Sequence, residues 1–195
     1  MSEHTIKVLL VGDAKVGKTT FLSRISKGGH ALEGRVPITL LRDIDQPFIF
    51  EVRNNRGRKV HRLEFYDTNG PENWRLLRPD LVLICYDISQ RTSLINMEQV
   101  WIKDILSTFH NTNAHLPIIV VGLKRDLRSV TDPNGIIYPE EGYKVSQAMR
   151  ADKYVECSAV TGELLKLAFE EICNTAVEVA TSETGGQSEG GCVVS

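Results

Sequence analysis

Three short runs of almost uninterrupted apolar residues, at positions 6–11, 81–86 and 118–121, stand out along the chain. Such runs are typical of parallel strands that are covered on both faces. Apolar residues with helical spacing follow them, in stripes formed by Leu94, Met97, Trp101 and Ile105 and by Leu164, Ala168 and Ile172. Because the members of each stripe lie on one helix face, the stripes predict helices that pack on the sheet.

Three shorter segments complete the predicted sheet. Residues 48–53 and 60–67 flank the polar turn Asn54-Asn55-Arg56-Gly57, which predicts two hairpin strands at a sheet edge. Residues 154–156 form a short last strand. The alternation of strands and helices predicts an α/β fold, with a mostly parallel six-stranded sheet, helices on both faces and ligands at the carboxyl ends of the strands.

Composition limits the class of protein. The 195 residues are 42% hydrophobic, which suits one domain with a sizeable core. The 25 acidic and 23 basic residues give a net charge of −2, which does not favour nucleic-acid binding. No secretory signal or transmembrane segment is evident, and the four cysteines lack zinc-ligand spacing, so we expect reduced thiols in a cytoplasmic protein. Ser, Thr, Glu and Gly predominate late in the chain, which predicts a domain at 1–180 and a mobile tail at 181–195.

The first apolar run is followed directly by an octapeptide that matches a phosphate-binding loop. Its residues are Gly12, Asp13, Ala14, Lys15, Val16, Gly17, Lys18 and Thr19. The two glycines would let the backbone wrap an anion at a helix N-terminus, Lys18 would reach the β- and γ-phosphates, and the Thr19 hydroxyl would ligate Mg²⁺. A glycine-rich strand-to-helix turn with a solvated lysine is the alternative.

A second acidic element follows the strand predicted at 60–67. Asp67 stands at its end and is a candidate ligand of the same Mg²⁺ ion. Gly70 would donate its backbone N–H to the γ-phosphate. The alternative is an aspartate that ends a strand in a turn.

Two motifs at later strand ends suit a guanine base. Lys124 and Asp126 follow the strand at 118–121, and the Asp126 carboxylate can accept both hydrogens of the N1 and N2 edge of guanine, which adenine does not offer. Ser158 and Ala159 follow the last strand and can present backbone N–H groups to guanine O6. A solvated charge run after a strand is the alternative for the first motif.

Together these motifs resemble those of a Ras-superfamily small GTPase, and most of all its Rho branch, over residues 5–180 and the C-terminus. The Rho-like features are Gly12-Asp13, Val121-Gly122 ahead of Lys124, Asp126-Leu127-Arg128, Tyr138-Pro139-Glu140-Glu141-Gly142 and Glu156-Cys157-Ser158-Ala159. The resemblance implies a single P-loop G domain that binds GTP or GDP with Mg²⁺ and signals through a conformational change. It also implies that Thr20 and Leu127 contact the nucleotide.

Two departures from the family concern hydrolysis. Family members nearly always have glycine where this chain has Ala14, and a methyl group there crowds the γ-phosphate and any incoming arginine finger. Pro71 replaces the glutamine that orients the attacking water, and proline has neither a side-chain amide nor a backbone N–H. Because Lys18 and Gly70 are retained in this catalytic region, we expect nucleotide binding with very slow hydrolysis.

Further departures concern nucleotide retention. Thr39 lies close to the position of the threonine that closes over Mg²⁺ in the family, and it can serve as a ligand if the first switch loop is longer. His30 is the closest match to the aromatic residue beside the purine, and Leu123 replaces the Asn or Thr that precedes Lys124. We expect weaker retention without loss of the guanine contact. The Rho insert helix is also largely missing.

The last four residues, Cys192-Val193-Val194-Ser195, match a prenylation box whose final serine favours a farnesyl group. An accidental terminal cysteine is the alternative. The tail ahead of the box has neither a basic cluster nor a second cysteine, so one lipid on Cys192 would give marginal, reversible anchoring. We therefore expect a peripheral protein on the cytoplasmic face of membranes.

The first hypothesis from the sequence is a monomeric Rho-like GTP/GDP switch with slow hydrolysis. Its partners would be effectors, exchange factors and, where hydrolysis can be stimulated, GTPase-activating proteins. The second hypothesis is an interaction module that uses nucleotide only structurally or not at all, although the intact Lys18 and Thr19 argue against it. The third is a P-loop kinase or ATPase, which Asp126 and Ser158-Ala159 disfavour.

Overall fold

The computed structural model describes residues 5–28, 37–54, 60–68, 72–109, 113, 115–128, 131, 137–182 and 192–193. The strands among these residues are β1 (Thr5–Val11), β2 (Phe48–Asn54), β3 (Val60–Asp67), β4 (Leu81–Asp87), β5 (Ile118–Leu123), β6 (Lys153–Glu156) and β7 (Cys192–Val193). They form one sheet in the order β6-β5-β4-β1-β3-β2-β7. The neighbours from β6 to β3 are parallel, whereas β2 pairs antiparallel with β3 and with β7.

The predicted α/β fold is therefore confirmed. The six predicted strands correspond to β1 through β6, and the charged pair β2 and β3 forms one end of that set. The two-residue strand β7 extends the sheet at the β2 edge, where Cys192 and Val193 pair with Asn54 and Arg53.

The α-helices of the described part of the chain are α1 (Lys18–Ile25), α2 (Arg91–Asn96), α3 (Ile102–Phe109), α4 (Pro139–Ala148) and α5 (Leu165–Ser182). A π-helical turn, Met97–Trp101, joins α2 to α3. Short 3₁₀ turns lie at Asp43–Asp45, Glu72–Leu76 and Arg125–Leu127. None of the described helices is both long and apolar enough to cross a membrane.

Side chains alternate across β1 and so supply a core on each face of the sheet. Val8 and Leu10 belong to a cluster with residues of α1 and α5, whereas Leu9 and Val11 belong to a cluster with residues of α2 and α3. Every residue of β4 and of β5 is buried, as expected for parallel strands that helices cover on both sides. The prediction of helices on both faces is thereby confirmed.

The cysteines Cys85, Cys157 and Cys173 form no disulfide bond and lie in the first of these clusters. Burial raises the pKa of Cys85 to about 12, so its thiol stays protonated at neutral pH. The cysteine is therefore a small apolar core residue, as its place in an apolar run suggests.

The parallel register places several strand ends at one edge of the sheet. Leu10 of β1 pairs with Asp67 at the end of β3, and Val11 pairs with Ile84 near the end of β4. The segments that leave these strands therefore meet at the carboxyl edge, where the sequence predicts the ligand site.

The C-terminal helix α5 extends two residues beyond residue 180, the predicted end of the domain. Ala180 remains 5% exposed against the core, and α5 continues to Ser182. Residues 183–191, which include most of the predicted mobile tail, lie outside the described residues.

A polar network lies next to α4. The hydroxyls of Tyr86 and Tyr154 are 2.7 Å apart, and Tyr154 also donates to Glu156, which accepts two hydrogen bonds from Arg128 at 2.6 and 2.8 Å. Burial raises the pKa of both tyrosines, which keeps their hydroxyls protonated. A Cβ added to Gly142 of α4 would lie within 3.0 Å of both hydroxyl oxygens.

We expect Gly142→Ala to lower the free energy of unfolding by about 2 kcal/mol, because the new methyl group overpacks a rigid site. In a domain of this size the change corresponds to a Tm lower by roughly 6 °C, which calorimetry measures. In a Tyr86→Phe/Tyr154→Phe background, which removes both hydroxyls, the same substitution should cost less than half as much. An equal cost in the two backgrounds would contradict the role of the hydroxyl contact.

Candidate functional site

The octapeptide forms a loop that leaves β1 and enters α1. Gly12 has a φ of 139°, and a Cβ there would lie within 3.0 Å of the Cys85 carbonyl oxygen, so only glycine fits. Gly17 has a φ of 113° at the N-cap of α1. Lys15 also has a positive φ, at 67°, and its backbone oxygen accepts a hydrogen bond of 2.7 Å from Lys124 Nζ. The loop therefore has a tightly constrained backbone between a strand and a helix N-terminus, as the sequence predicts.

Lys18 begins α1 and is 1% exposed. Its Nζ donates to the carbonyl oxygens of Gly12 and Asp13 at 2.9 and 3.0 Å and lies 4.0 Å from Asp67 Oδ1. The ammonium group thus lies inside the curve of the loop. A cation held there, next to backbone N–H groups at a helix N-terminus, suits an anionic ligand.

Thr19 and Asp67 lie side by side at the sheet edge. Thr19 Oγ1 donates to Asp67 Oδ2 at 2.6 Å, and Asp67 N–H donates to Gln46 Oε1 at 2.9 Å. Adjacent oxygens around an octahedral Mg²⁺ ion are about 2.9 Å apart, since each lies 2.0 to 2.1 Å from the metal. The pair therefore fits two neighbouring positions of a Mg²⁺ shell.

No group of three or more His, Cys, Asp or Glu side chains that could hold a metal occurs among the described residues. Mg²⁺ bound together with phosphates usually has only one or two carboxylates from the protein.

Asp13 connects the phosphate loop to the π-helical turn. Its two carboxylate oxygens accept hydrogen bonds of 2.7 Å each, from Asn96 Nδ2 and from Trp101 Nε1. The sequence analysis does not predict either contact, because helical spacing indicates only the apolar role of Trp101, which does pack against the core. The signal in the sequence was the indole N–H of tryptophan, a donor that usually finds a hydrogen-bond partner.

A cavity of about 220 Å³ lies beside the loop. Its lining residues are Gly17, Thr20, Leu123, Lys124, Asp126, Leu127, Ala159 and Val160. The structure therefore brings together, in one pocket, six of the predicted nucleotide contacts from three separate parts of the chain. Asp126 Oδ1 accepts a hydrogen bond from Ser158 Oγ, which ties the two predicted base-binding motifs to each other.

Lys124 spans from this cavity to the phosphate loop. It has a left-handed φ of 59°, and its Nζ donates to Asp87 Oδ2 and to the Lys15 carbonyl oxygen, both at 2.7 Å. Asp87 ends β4 and is 2% exposed, so the Lys124 charge is paired with a buried carboxylate. No local pattern in the sequence indicates this role of Asp87, because the residue simply follows an apolar run.

Glu156 joins the segments on the other side of the cavity. It pairs with Arg128 as described above and lies 3.4 Å from Arg125 Nε. Arg125 also pairs with Glu163, which follows the Ser158 motif. These ion pairs hold the segments after β5 and β6 together.

Of four other predicted site residues, one does not line the cavity and three lie outside the residues that the structure describes. Thr39 is exposed, and its Oγ1 accepts a hydrogen bond of 3.1 Å from Lys27 Nζ. His30, Gly70 and Pro71 lie outside the described residues. The predictions for these three residues, and for Thr39 as a metal ligand, therefore stay predictions.

Fold and site define an α/β domain with a phosphate-loop geometry at the carboxyl edge of a parallel sheet. The sequence profile of the Ras family matches residues 7–178. The chain therefore belongs to the Ras superfamily of small GTPases, in which it is Rho-like.

The similar proteins are of the Rho type. The GTP-binding protein RHO4 of Eremothecium gossypii is 32% identical over 184 residues, which cover 91% of this chain and 65% of that protein. The GTP-binding protein RHO1 of Candida albicans is 32% identical over 189 residues, which cover 89% of this chain and 88% of that protein. The Ras-like GTP-binding protein RhoL of Drosophila melanogaster is 30% identical over 199 residues, which cover 96% of this chain and 94% of that protein. The chain spans only 65% and 60% of the two RHO4 proteins from Eremothecium gossypii and Saccharomyces cerevisiae.

We expect Trp101→Phe to speed the release of a fluorescent GDP analogue about tenfold, because the loop loses a hydrogen bond to the Asp13 carboxylate while an aromatic ring remains. Stopped-flow fluorescence measures the rate. Trp74→Phe is the matched control, since Trp74 packs on Phe109 and stacks with Arg75 rather than contacting the loop. Equal release rates for the Trp101 variant and the unmodified chain would refute the predicted anchoring.

Proposed function

We propose that this protein is a Rho-like GTP/GDP-binding switch in signal transduction whose intrinsic GTP hydrolysis is very slow. The observation that carries the proposal is the single pocket in which Asp126 and Ala159 lie beside the phosphate loop. The pocket contains the Asp126 carboxylate, which is suited to guanine, and it is also lined by Gly17, which directly precedes the buried Lys18 at the N-terminus of α1, a place suited to phosphates. This combination favours a guanine nucleotide over ATP.

Different residues would bind the phosphates, the base and the Mg²⁺ ion. Lys18 and the backbone N–H groups of the loop would bind the β- and γ-phosphates, and Asp126 would accept from the N1 and N2 edge of the base. Thr19 and Asp67, with Thr39 after movement of its segment, would hold Mg²⁺. The ion would neutralise phosphate charge. Thr20, Leu127 and His30 would complete the surroundings of the nucleoside.

Slow hydrolysis follows from two replacements near the γ-phosphate. Ala14 is exposed on the loop, so its methyl group faces outward, where the reacting phosphate and any arginine finger would lie. Pro71 has neither a side-chain amide nor a backbone N–H that could orient the attacking water. With slow hydrolysis, nucleotide exchange sets the proportion of GTP-bound protein.

We expect the bound GTP to be hydrolysed more slowly than the roughly 10⁻⁴ per second of an unassisted Ras protein, as measured by single-turnover assays. Ala14→Gly/Pro71→Gln should raise that rate at least about tenfold, since it restores space and a water-orienting amide. A rate at or above the Ras value in the unmodified chain would disprove slow hydrolysis.

Chromatography of nucleotide released from denatured protein tests binding itself. If no guanine nucleotide is found, even after loading with Mg²⁺ and GTP, the interaction module becomes the better function. If ATP displaces GTP, the kinase or ATPase alternative replaces the switch.

We further propose that the chain acts at the cytoplasmic face of membranes through a farnesyl group on Cys192, as a monomer with effectors and exchange factors as partners. The single lipid without nearby basic residues would give reversible attachment. The sequence of the last four residues supports this part of the proposal.

We expect Cys192→Ser to move the protein from the membrane fraction to the soluble fraction of cells that express it. Ser195→Leu is the matched control, because it should exchange farnesyl for geranylgeranyl and keep the protein on membranes. Fractionation and intact mass of the purified chains measure both effects. An unchanged distribution of the Cys192 variant would exclude the anchor.

A further inference from the structure

Arg24 is a buried cation in the helix that follows the phosphate loop. It is 3% exposed, and its guanidinium reaches a loop more than a hundred residues away in sequence. Its Nε donates to the Ala159 carbonyl oxygen at 2.6 Å, and a terminal nitrogen donates to the Val160 carbonyl oxygen at 3.2 Å. Both acceptors belong to residues that line the cavity.

The position of Arg24 on α1 explains this reach. Thr20 lines the cavity, and Arg24 follows it by four residues, so the two side chains lie on the same face of the helix, one turn apart. Thr20 thus lines the cavity, and Arg24 contacts the Ala159–Val160 segment that also lines it. A buried guanidinium is costly unless its donors are satisfied, which makes these carbonyl bonds strong restraints on the loop.

The supported loop has two backbone N–H groups, those of Ala159 and Val160, that donate to no acceptor among the described residues. Ser158 N–H donates to Glu163 O at 2.9 Å, and Thr161 N–H donates to Ser158 Oγ at 3.0 Å. Both residues line the cavity, and the Ala159 N–H, which directly follows the predicted base-binding residue Ser158, is a donor that a carbonyl group on a bound base can use.

We propose that Arg24 is a positioning residue for base recognition: by holding the Ala159 and Val160 carbonyls, it fixes the Ala159 N–H for a hydrogen bond to the 6-oxo group of guanine. The inference rests on the proposed guanine-nucleotide binding, and it gives a physical cause for the selection of a base that has a 6-oxo group. Arg24 itself does not contact the base. Its effect is on the orientation of the peptide that does.

The test compares Arg24→Met with the unmodified chain on three diphosphates. GDP and inosine diphosphate both have the 6-oxo group, whereas 2-aminopurine riboside diphosphate lacks it. We expect Arg24→Met to raise the Kd about tenfold for GDP and for inosine diphosphate, but no more than about twofold for the aminopurine nucleotide. Calorimetric titration measures all three.

The three affinities distinguish a positioning role of Arg24 from a general loss of stability. A variant that is merely destabilised would lose affinity for the three nucleotides by the same factor, and that outcome would overturn the proposal. Lys166→Met, which removes an exposed cation from α5, is the control and should leave all three affinities unchanged. Lack of GDP binding by the unmodified chain would instead refute the proposed function.

Arg24→Gln covers the case in which Arg24→Met does not fold. The glutamine retains an uncharged amide donor, so we expect a smaller loss, confined to the two nucleotides that have the 6-oxo group. An equal loss on all three nucleotides would again overturn the proposal. Thermal unfolding of each variant verifies that the compared proteins are folded.

Discussion

The parallel alignment of β3, β1, β4 and β5 is the constraint on which the rest of the structure depends. Leu10 is paired with Asp67, and Asp87 is paired with Leu123, so the ends of these strands are level with one another. Apolar side chains on both faces hold this register, because a slip by one residue would exchange the faces of a strand. The level strand ends bring the phosphate loop, Asp67 and the segments that contain Asp126 and Ser158 to one edge.

Polar contacts then stabilise the segments that leave this edge. Lys124 joins the phosphate loop to β4 through the Lys15 carbonyl and Asp87, and Asp13 joins the same loop to the π-helical turn. Leu123 stands where the family has a polar residue, and it contributes an apolar wall to the cavity instead. The loop is therefore held from two sides, and the loss of one polar contact at Leu123 leaves others in place.

The sequence was informative where the necessary residues are contiguous or end a strand. The octapeptide is a local pattern, and Asp126 follows an apolar run, so both could be predicted together with the six strands. Arg24 and Asp87 could not, because their roles depend on contacts between distant segments that no local pattern records. Trp101 is a related case: helical spacing correctly places it against the core but does not indicate the Asp13 carboxylate that its indole N–H contacts.

Two positions of the same loop show how binding and cleavage can separate. Gly12 cannot acquire a side chain, because the Cys85 carbonyl occupies that space and the φ is positive. Ala14 is exposed, and its methyl group contacts no core, so the fold does not exclude a side chain there. The packing of the domain thus requires glycine at position 12, whereas it does not constrain the side chain at position 14. Under the proposed function, the replacement of glycine by Ala14 would therefore slow hydrolysis without disturbing the loop that would bind the phosphates.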